Sequence, residues 1–406
     1  MATGKLQIQV TSQLRAAPVE DAVIDISSTG EPDQILEEVR TDSVGQTDTL
    51  ELEAPPEEYS LSPGEMQPYS EYNFRITAPG YEPLTISGAE ILANQLALQD
   101  IRLKPLAGPE AYDNVVIPAH TLYGDYPPKI AEAEIKPLSQ SGEIVLSRVV
   151  IPEFIVVHDG APTDSTAGDY YVRYRDYIKN VASSEIYATW PEDTIRANVL
   201  AIMSFTLNRV YTEWYRNQGY DFTITSSTAY DHKWIYGRNI FDSISIIVDE
   251  IFDQYLSRPD VRQPILTQYC DGKRVSCPNW MSQWGSASLG EQGYSPIEIL
   301  RYYYGDDLYI NTAQQIAGIP ASWPRYDLTV GSSGPKVQQL QEQLLEISKV
   351  YTTIPPLTPT GYYDEATAEA VRAFQNIFGL PQTGVVDFAT WYKISYVGIT
   401  RMGELN

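Results

Sequence analysis

Cysteine is nearly absent from this chain: Cys270 and Cys277 are the two among 406 residues. A disulfide-rich secreted scaffold is thereby excluded, although one short bridge is not. Positive charge is scarce as well, with 28 Lys and Arg against 53 Asp and Glu and a net charge of −25. Phosphate contacts need clustered Lys or Arg, and no such cluster occurs, so nucleic-acid binding and adhesion to an acidic membrane are both disfavoured. No run approaches 18 apolar residues, and the start, Met1-Ala-Thr-Gly-Lys-Leu-Gln-Ile-Gln-Val10, lacks the unbroken apolar stretch of a secretory signal. The expectation is a soluble chain made without signal-directed export. Histidine occurs three times. His120 and His158 have no base or nucleophile near them in sequence, which leaves a Ser-His-Asp arrangement little support.

What is present is length, acid and tyrosine. At roughly 100–200 residues per domain the chain holds two to four, and 43% hydrophobic residues suffice for a core in each. Residues 1–106 alternate with period two in Leu6–Val10, Ala22–Ile26, Tyr72–Ile76 and Leu98–Leu103, separated by turn residues, as in a small β-sandwich. This quarter carries 18 acidic and 6 basic residues, −12 of the total, and reads as a solvated acidic surface. Residues 107–149, with Pro109, Pro118, Pro127, Pro128 and Pro137, suit an extended connector. A central domain over 150–320 and a C-terminal domain over 326–406 follow, parted near Pro320 to Arg325. The 30 tyrosines and seven tryptophans exceed what cores need; aromatic faces are one way to hold sugar rings.

Ala16–Ile26, Thr41-Asp-Ser-Val-Gly-Gln-Thr47 and the turn Ala78-Pro-Gly-Tyr81 resemble the carboxypeptidase-regulatory, transthyretin-like sandwich. Beyond Leu328, Val337, Leu340, Leu344 and Leu345 share one helix face that Ser332 or Ser333 can cap. The unit Gly361-Tyr-Tyr-Asp-Glu-Ala-Thr367 returns as Gly384-Val-Val-Asp-Phe-Ala-Thr390, and in both an Asp stands where its carboxylate can cap a helix. With Ala370-Val-Arg-Ala-Phe-Gln375 and the ending at Trp391, residues 328–397 resemble the three-helix peptidoglycan-binding module of wall hydrolases. The resemblance implies contacts to glycan or stem peptide near Phe374, Gln375, Gln382, Thr383 and Trp391. Phe374 and Trp391 suit an ordinary core equally.

In the central part, Tyr177, Ile178, Val181 and Ala182 recur at helical spacing, and Glu185 falls one turn beyond Val181. Thr189-Trp-Pro-Glu192 fits a capping box, and Ile195, Val199, Ile202, Phe205 and Val210 then mark a long helix. Two helices meeting just after Glu185 can present one acid in a cleft. Tyr177-Ile-Lys-Asn-Val-Ala-Ser-Ser-Glu-Ile-Tyr-Ala-Thr-Trp-Pro191, then Ile195-Arg-Ala-Asn198, Met281-Ser-Gln-Trp-Gly285 and Ile299–Tyr304, are similar to the sporulation stage II protein D family, whose members are lytic transglycosylases. The family's catalytic Glu aligns with Glu185, and the match spans about residues 150–315.

The whole arrangement is a multidomain α+β chain: transthyretin-like sandwich, connector, stage II protein D-like domain and wall-binding module. It resembles the clostridial spore cortex-lytic enzymes. That resemblance implies a proenzyme of the spore envelope, made in the mother-cell cytoplasm and cut near Val149 to Ile151 by a subtilisin-like germination protease. Lytic cleavage needs one carboxyl, which protonates the glycosidic oxygen and then takes the proton of the muramic 6-hydroxyl. Ordinary glycosidases need two, roughly 5–9.5 Å apart. The donor must keep its proton until the bond breaks, a demand that burial against Ile186, Tyr187 or Trp190 would serve.

Tyr187, Ser282, Gln283 and Trp284 are the expected glycan contacts, although a tight turn into Gly285 would also explain the Ser-Gln-Trp string. Two departures stand out. Relatives show Ala-Ala-Arg-Thr-Tyr where this chain has Ala201-Ile-Met-Ser-Phe205, so Met203 replaces the Arg, and Cys277-Pro-Asn-Trp280 replaces a His-Gly segment. Some relatives bind zinc, but the spacing of His232, Cys270 and Cys277 fits no standard zinc signature; a disulfide, buried thiols and a metal all stay open. No cofactor is expected. For a hydrolase giving reducing ends, Asp231 and Glu213 are the candidate second carboxylates, and a wall-binding scaffold without chemistry is the reading from another class.

Overall fold

A computed structural model describes residues 2–13, 17–106, 112–136, 149–313, 316–317, 326–349, 351–387, 390–391, 393–395 and 397. The alternation at the start becomes strands β1 (Ala2–Ser12), β2 (Val23–Ser28), β3 (Glu31–Arg40) and β4 (Leu50–Ala54). After a short helix α1 (Glu58–Leu61) come β5 (Ser70–Thr77), β6 (Leu84–Ile91), β7 (Leu96–Leu103) and β8 (Asp113–Val116). They form two sheets. One runs β3-β2-β5-β6-β8, and the other runs β7-β1-β4 with a further strand, Ile240–Phe241, on its β7 edge. Leu6, Ile8 and Val10 of β1 face Ile24, Ile26, Phe74 and Ile76 inside, as period-two burial demands.

The central region is built around helices α2 (Tyr174–Glu185), α3 (Glu192–Thr212), α4 (Asp242–Ile251), α5 (Gln283–Glu291) and α6 (Pro296–Tyr304). The expected stripe of α3 understates its burial, for the helix is enclosed on nearly all sides and Met203 is wholly inside. The expected capping box at its start does not form: Thr189 Oγ1 instead lies 2.7 Å from Ser60 Oγ of α1, and Pro191 stands at the cap. A true capping box occurs at Ser295 and Glu298 ahead of α6.

One apolar core runs unbroken from Leu6 to Leu308, so sandwich and central region share it. Ile240 and Phe241 pair antiparallel with Leu98 and Ala97. Arg238 reaches Glu90 of β6 at 2.8 Å and donates to Ser184 Oγ at 3.0 Å, all buried. Residues 112–136, expected as a connector, are extended but packed. β8 adds a fifth strand beside β6, and Glu132 and Glu134 accept from Arg209 and Arg258.

The module near the C-terminus has its own core of Val337, Leu340, Leu344, Tyr363, Phe374 and Trp391 around α7 (Pro335–Ser348) and α8 (Glu365–Ile377). Neither Ser332 nor Ser333 caps α7, whose cap position is Gly334; Ser332 Oγ accepts from Thr329 N–H. The repeated Asp does cap in both copies. Asp364 accepts from Thr367 N–H and Asp387 from Thr390 N–H, each at 2.8 Å. Of the third expected helix, 390–391, 393–395 and 397 are helical.

Glu213 closes α3 in left-handed backbone at φ 44°, buried and with Oε1 unpartnered. Burial pushes its carboxyl up to about 7, against Arg216 and Lys336. Because the folded chain then holds this proton more readily than the unfolded one, the contribution is present at acid pH and is lost as pH rises from 4.5 through about 7. Glu213→Gln should therefore raise stability by about 2–3 kcal/mol at pH 8 and change little at pH 4. Thermal unfolding at both pH values checks this, and an equal effect at the two would refute it.

Candidate active site

Glu185 ends α2, and the backbone turns to extended geometry at Ile186. Its side chain is 3% exposed and lines an open cleft. Oε1 accepts the Lys233 N–H at 2.8 Å, and Oε2 accepts from Gln283 Nε2 at 3.3 Å. The same amide nitrogen donates to the Glu185 carbonyl at 2.8 Å, so Gln283 at the start of α5 fixes both ends of the residue. Tyr269 lines the cleft too, and burial followed by the charge of Glu185 raises its hydroxyl well above the tyrosine range.

The packed connector also lines the cleft, through Thr121, Gly124, Tyr126, Pro127, Pro128 and Lys129. Thr121 donates to the Ser184 carbonyl, and His120 stacks on Tyr187 with ring centroids 4.5 Å apart. The Lys129 ammonium donates to the Asp231 carbonyl and lies 4.8 Å from the Tyr269 ring centre. Burial lowers its pKa, against the pull of Glu185 and Asp231. Tyr126 is pushed up to about 12 by burial and then by Glu185.

The other expected residues fall in several places. Gln283 is in the cleft. Ser282 caps α5 by accepting from Gly285 N–H at 2.9 Å, the turn role left open by the sequence. Trp284 packs against Trp190 and Tyr187, and Tyr187 itself is covered by His120. In the module, Phe374 and Trp391 are core residues, while Gln375 is buried and holds Val385 O and Gly384 N–H. Gln382 and Thr383 are exposed.

Asp231, a candidate second acid, is fully engaged: Arg209, the Tyr215 hydroxyl, and the Thr225 N–H and hydroxyl all donate to it. Neither it nor Glu213 lines the cleft, whose carboxylates are Glu185 and Asp271. Cys270 and Cys277 are joined in a disulfide. That bond takes both sulfurs away from His232, which is buried, kept neutral by its burial, and within 3.1 Å of the Tyr177 hydroxyl through Nδ1. Among the described residues no group of three His, Cys, Asp or Glu is placed to hold a metal, and no helix is long and apolar enough to cross a membrane. Lys129, Tyr126, Tyr269, Asp271 and Arg274 were not expected in the cleft, and no periodicity or spacing marks them.

Residues 333–394 match the peptidoglycan binding domain family. The chain is thus a mixed α+β, multidomain protein that carries a peptidoglycan-binding helical domain near its C-terminus. No curated protein matches the sequence. Among solved structures, the SleB N-terminal domain is similar at 26% identity, covering 19% of this chain and 99% of that one, with a TM-score of 0.17. The 5-hydroxyisourate hydrolase of Klebsiella pneumoniae shows 16% identity over 25% of this chain and 92% of its own, TM-score 0.17. GBS52, a minor pilin of Streptococcus agalactiae, shows 14% over 27% and 48%, TM-score 0.19. Likeness at these TM-scores carries no argument about fold or function.

Proposed function

We propose that this chain is a peptidoglycan lytic transglycosylase of the spore cortex, with Glu185 as its acid and base, made as a proenzyme. The observation that carries the reading is one buried carboxylate lining a cleft, held by Lys233 N–H and Gln283, in a chain that also carries a peptidoglycan-binding domain. Glu185, through Oε2 with its longer contact, gives a proton to the glycosidic oxygen as the C1–O bond breaks. The same carboxylate then accepts the proton of the muramic 6-hydroxyl as O6 bonds to C1, leaving an anhydro end and a regenerated acid. A single carboxyl suffices, and the other one lining the cleft, Asp271, is spent on three backbone N–H groups. Tethering by the module raises the local concentration of cleft and strand.

The segment Thr121–Lys129 supports the proenzyme reading, because its residues line the cleft together with Glu185 and the adjoining His120 covers Tyr187. A subtilisin-like germination protease cutting near Val149 would make that segment separable from the cleft, within the spore envelope. The test is to incubate purified cortex peptidoglycan with the full chain before and after limited proteolysis near residue 150, and to read soluble fragments by mass spectrometry. Anhydromuramic ends, at least about 10-fold more abundant after trimming, are expected on the scale of one positioned catalytic contact. Equal activity before and after would remove the inhibitory role, reducing ends would bring Asp271 forward, and binding without fragments would leave a wall-binding scaffold.

A further inference from the structure

The Cys270–Cys277 disulfide closes a ring over residues 271–276 at the rim of the cleft. Its shape is doubly fixed. The Asp271 carboxylate accepts the N–H groups of Lys273, Arg274 and Val275 at 3.2, 2.9 and 2.9 Å. Gly272 has φ +74°, and a Cβ there would lie 1.9 Å from Ser282 Oγ, so the turn is pressed onto the start of α5. Two adjacent exposed cations, Lys273 and Arg274, stand on this clamped turn. Arg274 lines the cleft with Glu185, and its guanidinium reaches the Gly124 carbonyl across the mouth at 2.5 Å. In a chain of net charge −25, this clamped turn places two adjacent cations beside the cleft.

We infer that Arg274, assisted by Lys273, reads a free carboxylate on the incoming glycan strand and so sets which strands the cleft accepts. The inference rests on the cleft being the site of strand binding proposed above. A planar guanidinium matches a carboxylate with two parallel N–H bonds, and a charged acceptor makes a stronger bond than the neutral Gly124 carbonyl that now receives it. The closed ring removes most of the ordering cost that a free loop would bring to binding. Peptidoglycan carries such carboxylates on its stem peptides and, where those are removed, on its lactyl groups, and the module over residues 333–394 is matched to that polymer.

The experiment measures binding of the chain trimmed near residue 150 to soluble strands with stem peptides, to strands stripped to their lactyl groups, and to both after conversion of carboxylates to methylamides. The native chain should bind uncapped strands about 10-fold more tightly than capped ones, the worth of one charge-assisted contact. Arg274→Ala should lose that discrimination while Arg274→Lys keeps part of it, which a collapsed loop would not do. Discrimination on stripped strands assigns the lactyl group, and discrimination on peptide-bearing strands alone assigns the stem. Arg274→Ala discriminating like the native chain would overturn the inference. Fragment analysis of the trimmed forms separates the two ideas. Arg274-dependent discrimination without fragments sinks only the catalytic reading, and fragments without it sink only the carboxylate site.

Discussion

Glu185→Gln should reduce fragment release by the trimmed chain about 10³-fold, the usual worth of a positioned general acid and base. Gln keeps the shape and can still accept the Lys233 N–H through one oxygen, so the turn after α2 should hold. It cannot deliver a proton or take one back. Because the module lies outside the cleft, sedimentation with insoluble peptidoglycan should be unchanged, which separates lost chemistry from lost binding. A variant keeping a tenth or more of native activity would move the acid role away from Glu185.

The second large effect concerns the join between sandwich and central region. Arg238→Met should cost about 3–5 kcal/mol, because it strands the Glu90 charge in a site where the guanidinium is its cation. Burial already holds the Glu90 carboxyl above its ordinary value, against the pull of Arg238. Without the arginine that displacement grows, so the folded variant prefers a protonated Glu90. Its deficit should be full above neutral pH and shrink as pH falls and Glu90 takes its proton. Adding Glu90→Gln should restore most of the loss, since both charges are then gone. Denaturant unfolding at pH 5 and pH 8 decides the matter, and a loss under about 1 kcal/mol at pH 8 would refute the ion pair's role.

Local pattern made the sequence legible where burial has a period. Leu6–Val10 alternates because β1 buries alternate residues, and Tyr177, Ile178 and Val181 recur by turns because the start of α2 leaves Arg175 and Asp176 exposed, although Asn180 to Glu185 are buried all round. β3 went unread, since Glu31–Arg40 is almost wholly exposed and leaves no apolar alternation. Glu185 was found through a motif, and its position at a helix end followed from spacing. Its company in the cleft did not. Lys129 and Arg274 arrive from segments 56 residues before and 89 after it, joined by packing that no local signal encodes. The same reason hid the pairing of Ile240 with Leu98 and the reach of Arg238 to Glu90. Thr189 failed as a cap for a related cause: its hydroxyl had a partner in α1, far away in sequence.

The strand Ile240–Phe241 on the edge of β7 bears on what a cut near residue 150 can accomplish. Severing one peptide bond leaves the sheet, the common core and the Arg238–Glu90 pair in place, and Ile151–Pro152 still pairs with Ile316–Ala317. The nicked protein would therefore be a two-chain complex, with its former N-terminal part now a detachable ligand. Under the proposed activation its departure would obey mass action: dilution would favour release, crowding would favour recapture, and residence time rather than the speed of cleavage would govern when the cleft is uncovered.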